Sequence, residues 1–439
     1  MIIDIKQETL TKINNPYFLA DAERYLHIFN EFKDSISKTG MEIDARSYSV
    51  DVQDKITQLQ QKGAHVRNTD KSIYINNISP ACVACQTGVG AETGYISLLC
   101  NRDCYYCFNE NQQDYDIFTE SKTNYIQYIN RAHQLFGNLV SVGLTGGEPL
   151  LFMEDTIKYF THVGKIAPDA YTRLYTCGDD ISKEVLESLQ TVNLDEIRFS
   201  IKVESNNWRN SFGQIALAKE YIPHVMVEMP VEPNLEDTMK ELLTELNSLE
   251  IFGINLLEFL YPFRNEDEYI KRGYKIKNRP YRILYDYLYA GGLPISGSDL
   301  ACLNLMDFCI DQAMTMGVHY CSLENKFSSQ IYQQNSDVQL SSIEFLSEKD
   351  YFIKTAKVYG EGIEEVTQVF HNQGYQDYEI NLENHFIEFH VKKISALKEL
   401  DLEIGISTSV VDSDERGRFV RELKVDFTTP ALFDFTMDL

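Results

Sequence analysis

Between residues 80 and 262, short β-branched and apolar runs alternate with stretches whose apolar residues recur every three or four positions. The apolar runs are Tyr95–Leu99, Val140–Leu144, Thr172–Thr176, Glu196–Ile201, His224–Pro230 and Asn255–Leu260. Runs of this length suit strands buried on both faces, as parallel strands are. The stretches between them, Lys122–Phe136, Met153–Ala167, Ser182–Thr191, Asn207–Tyr221 and Leu235–Leu249, have the helical period. Strand–helix alternation predicts a parallel sheet with crossover helices. Residues 79–262 therefore read as an α/β fold, a partial (β/α)6 TIM barrel. Its chemistry belongs at the C-terminal ends of the strands.

The flanks differ in pattern. Residues 1–78 read as a mostly helical N-terminal segment, with helices at Pro16–Thr39 and Ser49–Gln61 and an extended piece at Ile73–Asn77. Residues 263–345 read as an irregular connector with a tyrosine-rich helix, Arg282–Ala290, and a Gly291-Gly292 break. From 346 to 439 the pattern becomes strand (Phe352–Val358), helix (Ile363–Asn372), two strands within Tyr375–Val391, helix (Ile394–Leu400) and strands Asp401–Val410 and Glu422–Thr428. The order β-α-β-β-α-β predicts a ferredoxin-like α+β C-terminal domain.

Charge and composition narrow the function classes. The 439 residues carry a formal net charge of −26. So acidic a chain lacks the basic footprint that nucleic-acid binding needs. No basic-then-apolar signal opens the sequence, and no apolar run approaches the roughly 20 residues of a membrane span. A cytoplasmic protein is expected. In that reducing compartment nine cysteines point to metal or redox chemistry rather than disulfides. Five of them fall between Cys82 and Cys107.

The strongest chemical signal is Cys100-Asn-Arg-Asp-Cys104-Tyr-Tyr-Cys107, directly after the first expected strand. Three thiolates ligate three irons of a cubane and leave the fourth iron open. Zinc, by contrast, normally takes four ligands. One βα unit later, Gly146-Gly147-Glu148-Pro149 ends the second strand, where glycines let backbone approach a ligand closely. On the fourth strand, alternation places Ser200 and Lys202 on one face at the barrel mouth. Cys177, ending the third strand, lines the same mouth or lies buried and inert.

The C-x3-C-x2-C triplet and the GGEP sequence resemble the hallmarks of the radical S-adenosylmethionine (SAM) superfamily. The resemblance implies a [4Fe–4S] cluster on Cys100, Cys104 and Cys107, and SAM cleavage to a 5′-deoxyadenosyl radical. It implies SAM contacts from Tyr106, Gly146, Gly147, Glu148 and Pro149, and from Ser200 and Lys202. It extends over about residues 80–335 and looks most like the peptide- and protein-modifying members. Two subgroups stand out: the splicease type, which excises a tyramine unit from a precursor peptide, and the methyl-coenzyme M reductase arginine methyltransferase type. The second uses cobalamin, and no cobalamin-binding domain is visible, which favours the first. Implied partners are a peptide or protein substrate, a flavodoxin- or ferredoxin-like electron donor, and a small accessory leader-binding protein; residues 1–78 are themselves long enough to bind a leader.

Cys82-Val-Ala-Cys85 can chelate a metal through a tight turn but needs further ligands. Two of Cys302, Cys309 and Cys321 are the candidates to complete an auxiliary [4Fe–4S] cluster or zinc site, with the alternative of a reduced C-x2-C pair and buried single cysteines. The polar stretch Met316–Lys326 either binds substrate or forms a solvated loop. Competing functional classes are a radical SAM enzyme acting on a small molecule, and a zinc or iron–sulfur scaffold without catalysis.

Overall fold

A computed structural model describes residues 1–203, 207–285 and 291–439. It divides into one unit of Thr39–Pro280 and Tyr287–Ser329, and another of Met1–Lys38, Tyr281–Asp286 and Gln330–Leu439.

The first unit is built on a nine-stranded sheet. Its strands are β1 (His65–Arg67), β2 (Ser72–Ile75), β3 (Ala91–Tyr95), β4 (Ser141–Thr145), β5 (Tyr171–Thr176), β6 (Glu196–Phe199), β7 (His224–Val231), β8 (Gly253–Glu258) and, after a short ribbon of β9 (Leu260–Tyr261) and β10 (Leu293–Pro294), β11 (Gly317–Cys321). The order is β1-β2-β11-β8-β7-β6-β5-β4-β3. All neighbours from β3 to β11 are parallel; β2 and β1 add to the far edge antiparallel. The ends β1 and β3 do not pair, so the barrel is partial. The expected six strands are present, and β11 is a seventh parallel strand. It arises from the stretch expected to be an irregular connector. There, helix Ser298–Asp311 buries Ala301, Cys302, Leu305, Met306 and Cys309 and returns the chain beside β8.

The first expected strand lies four residues too late. Ile96 and Leu98 are buried, as their apolarity predicts, but their backbone bonds go outside the sheet: Leu98 N–H donates to Phe118 O and Thr123 N–H to Ile96 O. Burial without a strand partner looks the same in sequence as burial in a sheet.

Alternation divides each strand's side chains. Leu174, Ile197, Val227, Ile254 and Val318 join the apolar core under the helices. The alternate residues Arg173, Tyr175, Arg198, Glu228, Asn255 and His319 form a polar inner face. Arg198 donates to Glu196 (2.5 Å), Tyr175 (3.2 Å), Glu228, Ser79 (3.1 Å) and the sulfur of Cys82 (3.4 Å). Asn255 links Glu228 (2.6 Å) to His319 (3.0 Å), whose other ring nitrogen meets Ser72 (2.8 Å).

The second unit holds β12 (Phe345–Leu346), β13 (Ile353–Tyr359), β14 (Tyr378–Asn381), β15 (Phe386–Phe389), β16 (Ile404–Asp414) and β17 (Gly417–Thr428). The antiparallel order β14-β15-β13-β16 is that of the expected ferredoxin-like domain, with β17 added at the edge and β12 beside β13. Its second helix is a 3₁₀ run, Val391–Leu397.

The N-terminal segment is not one piece. Helix Pro16–Ser37 buries Phe18 and Ala22 against Tyr359, Phe386, Val425 and Phe427, and Ile3 exchanges backbone bonds with Phe427 (2.7 and 2.9 Å). Helix Ser49–Gln61 instead sends Ile56 and Leu59 into the barrel core, and Lys55 pairs with Asp307 (3.1 Å). Each helix follows its apolar stripe, so the chain divides near Lys38 rather than at residue 78. The expected helix Arg282–Ala290 lies outside the described residues over 286–290, and 282–285 are not helical. Among the described residues, no helix is long and apolar enough to cross a membrane.

Candidate active site

The loop that follows β3 runs across the C-terminal ends of the parallel strands, and each of five successive strand ends holds it. After β4, Gly146 O accepts from Asn109 Nδ2 at 2.6 Å. After β5, Asp179 takes both Nε and a terminal nitrogen of Arg102 (2.8 and 2.5 Å), while Cys177 O accepts from the same guanidinium at 2.9 Å. After β6, Ser200 O accepts from Arg102 at 3.2 Å and Lys202 donates to Asp103 O at 2.8 Å. After β7, buried Glu232 accepts from Tyr105 at 2.6 Å and from Tyr274 at 2.7 Å. After β8, Asn265 donates to Tyr105 O (3.0 Å), and Pro262 O accepts from Asn111 (2.7 Å).

This loop carries the cysteine triplet. Cys100 is exposed; Cys104 and Cys107 are half-buried and share a turn, Cys107 N–H to Cys104 O at 2.9 Å. Burial pushes the Cys107 thiol up to about 11. A thiol so placed favours the proton unless a metal takes its site. The Arg102 N–H donates to Cys100 Sγ at 3.4 Å. Tyr106 sits edge-on to Tyr105 (centroids 5.0 Å apart) and Phe259 (5.7 Å).

The Gly-Gly-Glu-Pro turn is zipped to the start of the same loop. Gly147 N–H donates to Ser97 O (3.1 Å) and Glu148 N–H to Leu99 O (2.8 Å). Gly146 has φ +119°, and a Cβ on Gly147 would lie 1.8 Å from Leu99 O. Only glycine permits that approach. Glu148 is buried, and its carboxylate accepts from Leu150 N (3.0 Å), Thr176 Oγ1 (2.9 Å) and Cys177 N (2.7 Å). Three donors hold the ends of β4 and β5 together. Pro149 opens the turn Pro149–Phe152. Three thiols on a clasped loop, beside a turn of exposed backbone, suit a cluster ligated on three irons and a small zwitterion beside it.

Ser200 and Lys202 lie past the end of β6, not on it, because the ladder stops at Phe199. Both still stand at the mouth. Cys177 is buried, its one S–H within reach of two acceptors behind the loop, Asp179 (3.4 Å) and Asn101 (3.5 Å).

The remaining cysteines scatter. Cys82 and Cys85, on and just after helix Pro80–Ala84, reach the polar inner face, where Arg198 (3.4 Å) and Asn255 (3.3 Å) donate to Cys82. Cys321 ends β11 and accepts from Asn325 at 3.2 Å. Cys302 donates to Leu257 O (3.8 Å) from the buried face of its helix, and Cys309 lies in the apolar core. Among the described residues no three His, Cys, Asp or Glu side chains converge closely enough to hold a metal ion. Four ligands for a single zinc ion are therefore not assembled there. For the triplet the same spacing is no obstacle, since each thiol of a cubane site binds a different iron. Within Met316–Lys326, most residues form β11 and the start of a helix rather than a solvated loop.

Sequence reasoning missed Arg102, Tyr105, Asn109, Asp179 and Glu232. Only Arg102 had a signal, a lone cation inside the triplet.

The family model of the Radical SAM superfamily matches residues 95–246. Residues 95–246 are a radical SAM domain. A protein of Methanocaldococcus jannaschii, named as a candidate glycyl-radical enzyme activating enzyme, is 28% identical over 213 residues. That match covers 46% of this chain and 56% of the relative, so the chain spans little more than half of it. Streptococcus suis SuiB, solved with its precursor peptide SuiA, is 14% identical with a TM-score of 0.36 over 72% of this chain and 67% of SuiB. The methyltransferase TsrM of Kitasatospora setae, solved with tryptophan and a SAM analogue, is 12% identical with a TM-score of 0.30, covering 41% of this chain and 38% of TsrM. The radical SAM domain points to an enzyme, and that superfamily works with a [4Fe–4S] cluster and SAM.

Proposed function

We propose that Cys100, Cys104 and Cys107 hold the cluster, that the Gly146–Pro149 turn, Tyr106, Ser200 and Lys202 receive SAM, and that the enzyme modifies a peptide or protein. The observation that carries this reading is the triplet loop fastened across the strand ends and zipped to the glycine turn. Bound there, the reduced cluster supplies the electron that splits SAM into methionine and a 5′-deoxyadenosyl radical. The chain's own residues bind and orient. Glu148 fixes the turn so that its backbone faces the SAM amino group. Tyr106 offers a ring face to the adenine. The loop lies across the strand ends and would limit the access of water to bound SAM.

The name of the archaeal relative points to a protein substrate, since an activating enzyme acts on another enzyme. The resemblance of the motifs adds tyramine excision from a ribosomal precursor as the first reaction to assay. Formation of a glycyl radical on a partner enzyme is the second reading, which that relative favours. Mass loss in a co-expressed precursor identifies the first, and a protein-borne radical signal identifies the second.

The test is iron and sulfide content after anaerobic reconstitution, with 5′-deoxyadenosine production from SAM and dithionite. Wild type should bind about four irons per triplet site and make 5′-deoxyadenosine. The Cys100/Cys104/Cys107→Ala variant should do neither. Equal iron in both proteins would overturn the ligand assignment.

A further inference from the structure

Arg102 is the only Lys or Arg between Cys100 and Cys107. Its main chain touches one cysteine through the 3.4 Å bond to Cys100 Sγ. Its side chain turns away and forks onto Asp179 (2.8 and 2.5 Å), with Cys177 O (2.9 Å) and Ser200 O (3.2 Å) completing four acceptors. The Arg102 side chain is about one-fifth exposed and that of Asp179 about one-half. The pair is thus partly open to solvent, and Arg102 itself lies between Cys100 and Cys104 in the chain.

A guanidinium fork onto a carboxylate fixes angle as well as distance. Here it ties the middle of the C-x3-C segment to the end of β5. It also places two opposite charges at a fixed offset from the three sulfurs. A cubane on three thiolates is anionic, and reduction adds one more negative charge. Nearby charges therefore shift its potential, a cation upward and an anion downward.

Resting on the reading that the triplet holds the cluster, we propose that Arg102 and Asp179 are paired positioning residues that set the reduction potential of that cluster. Arg102 favours the reduced, more anionic state. Asp179 holds the guanidinium in place and offsets part of its charge.

The test is a redox titration of reconstituted protein, followed by the electron paramagnetic resonance of the reduced cluster. Iron content and circular dichroism serve as controls. Arg102→Gln should move the potential to more negative values. Asp179→Asn keeps an oxygen to accept from Arg102 and should move it to more positive values. Arg102→Lys, which keeps the charge and loses the fork, should stay nearer the wild type than Arg102→Gln does. Mere loosening of the loop would move all three variants in the same direction. A shared direction, or an unmoved Asp179→Asn, overturns the proposal. If Arg102→Gln fails to retain iron, Asp179→Asn and Arg102→Lys decide by the same signs. Iron absent from the wild type would overturn the cluster reading itself, and this proposal with it; iron present with unmoved potentials would overturn this proposal alone.

Discussion

Two groups of cysteines in the barrel unit sit in opposite environments. Cys100, Cys104 and Cys107 ride on a loop with little regular structure, yet every strand end from β4 to β8 reaches out to hold that loop. Cys302 and Cys309 sit on a regular helix within the apolar core, where Cys302 makes a long thiol contact to Leu257 O. Cys82, Cys85 and Cys321 fall between, on the polar inner face. Regularity of the backbone is thus a poor guide to where chemistry sits. The informative feature is an irregular segment held at many points by its surroundings.

The largest expected effect follows from that contrast. Replacing the triplet with alanine should abolish 5′-deoxyadenosine formation, whereas Cys309→Ala should leave its rate within about twofold of wild type, the scale of a change far from the site. A comparable loss of activity in both would erase the distinction between the two groups.

Second in size is the polar inner face. Arg198 is buried and ion-paired to Glu196 (2.5 Å) and Glu228. Nearby Arg198 holds the Glu228 carboxyl below its usual range despite burial. Arg198→Met strips both carboxylates of their cation, so a loss of roughly 3–5 kcal/mol in unfolding free energy is expected. Denaturant unfolding followed by barrel fluorescence checks this. A loss under about 1 kcal/mol, the scale of an exposed pair, would show that water reaches the network.

How far the sequence carried the reading depends on what each residue's neighbours demanded. The period of the apolar runs placed β4 to β8 within a few residues, because strands buried on both faces leave a strong local pattern. The order of strands in the ferredoxin-like domain was legible for the same reason. The triplet and the Gly-Gly-Glu-Pro turn were legible because their chemistry is written in consecutive residues. Asp179, Glu232 and Asn109 were not, since each bonds a partner 37 to 127 positions away. β11 was hidden because Gly317-Val-His-Tyr-Cys mixes a polar histidine into a buried strand, and its partner is β8, far away in sequence. The split of residues 1–78 was hidden because amphipathic helices show that a stripe is buried, not against what.

A third effect tests the inert set directly. Cys309→Ala removes a sulfur from a core position, with burial having pushed its thiol up to about 12. The expected cost is about 1–2 kcal/mol, the size of a small cavity. Retention of the wild-type iron content in the same variant separates packing from ligation. Iron lost from Cys309→Ala would move this residue into the metal-binding group.

The smallest effect lies in the ferredoxin-like domain, where an imidazole caps a helical turn instead of facing a cofactor. His390 Nδ1 accepts from Lys392 N at 3.1 Å, which requires that nitrogen to be unprotonated. Burial, with Lys392 and Lys393 alongside, lowers the His390 pKa below its usual value. A histidine depressed on folding stabilises the native state above its unfolded pKa of about 6.5, and that contribution fades as pH falls through the lower folded value. The ring is partly in water, so the effect should stay under about 1 kcal/mol, the scale of one cap reduced by solvent. His390→Asn keeps a capping oxygen and removes the titration. Stability measured by urea unfolding should therefore fall less steeply between pH 7 and pH 5 in the variant than in the wild type. Identical slopes would mean that the protonated ring finds another acceptor and that the cap does not depend on the proton.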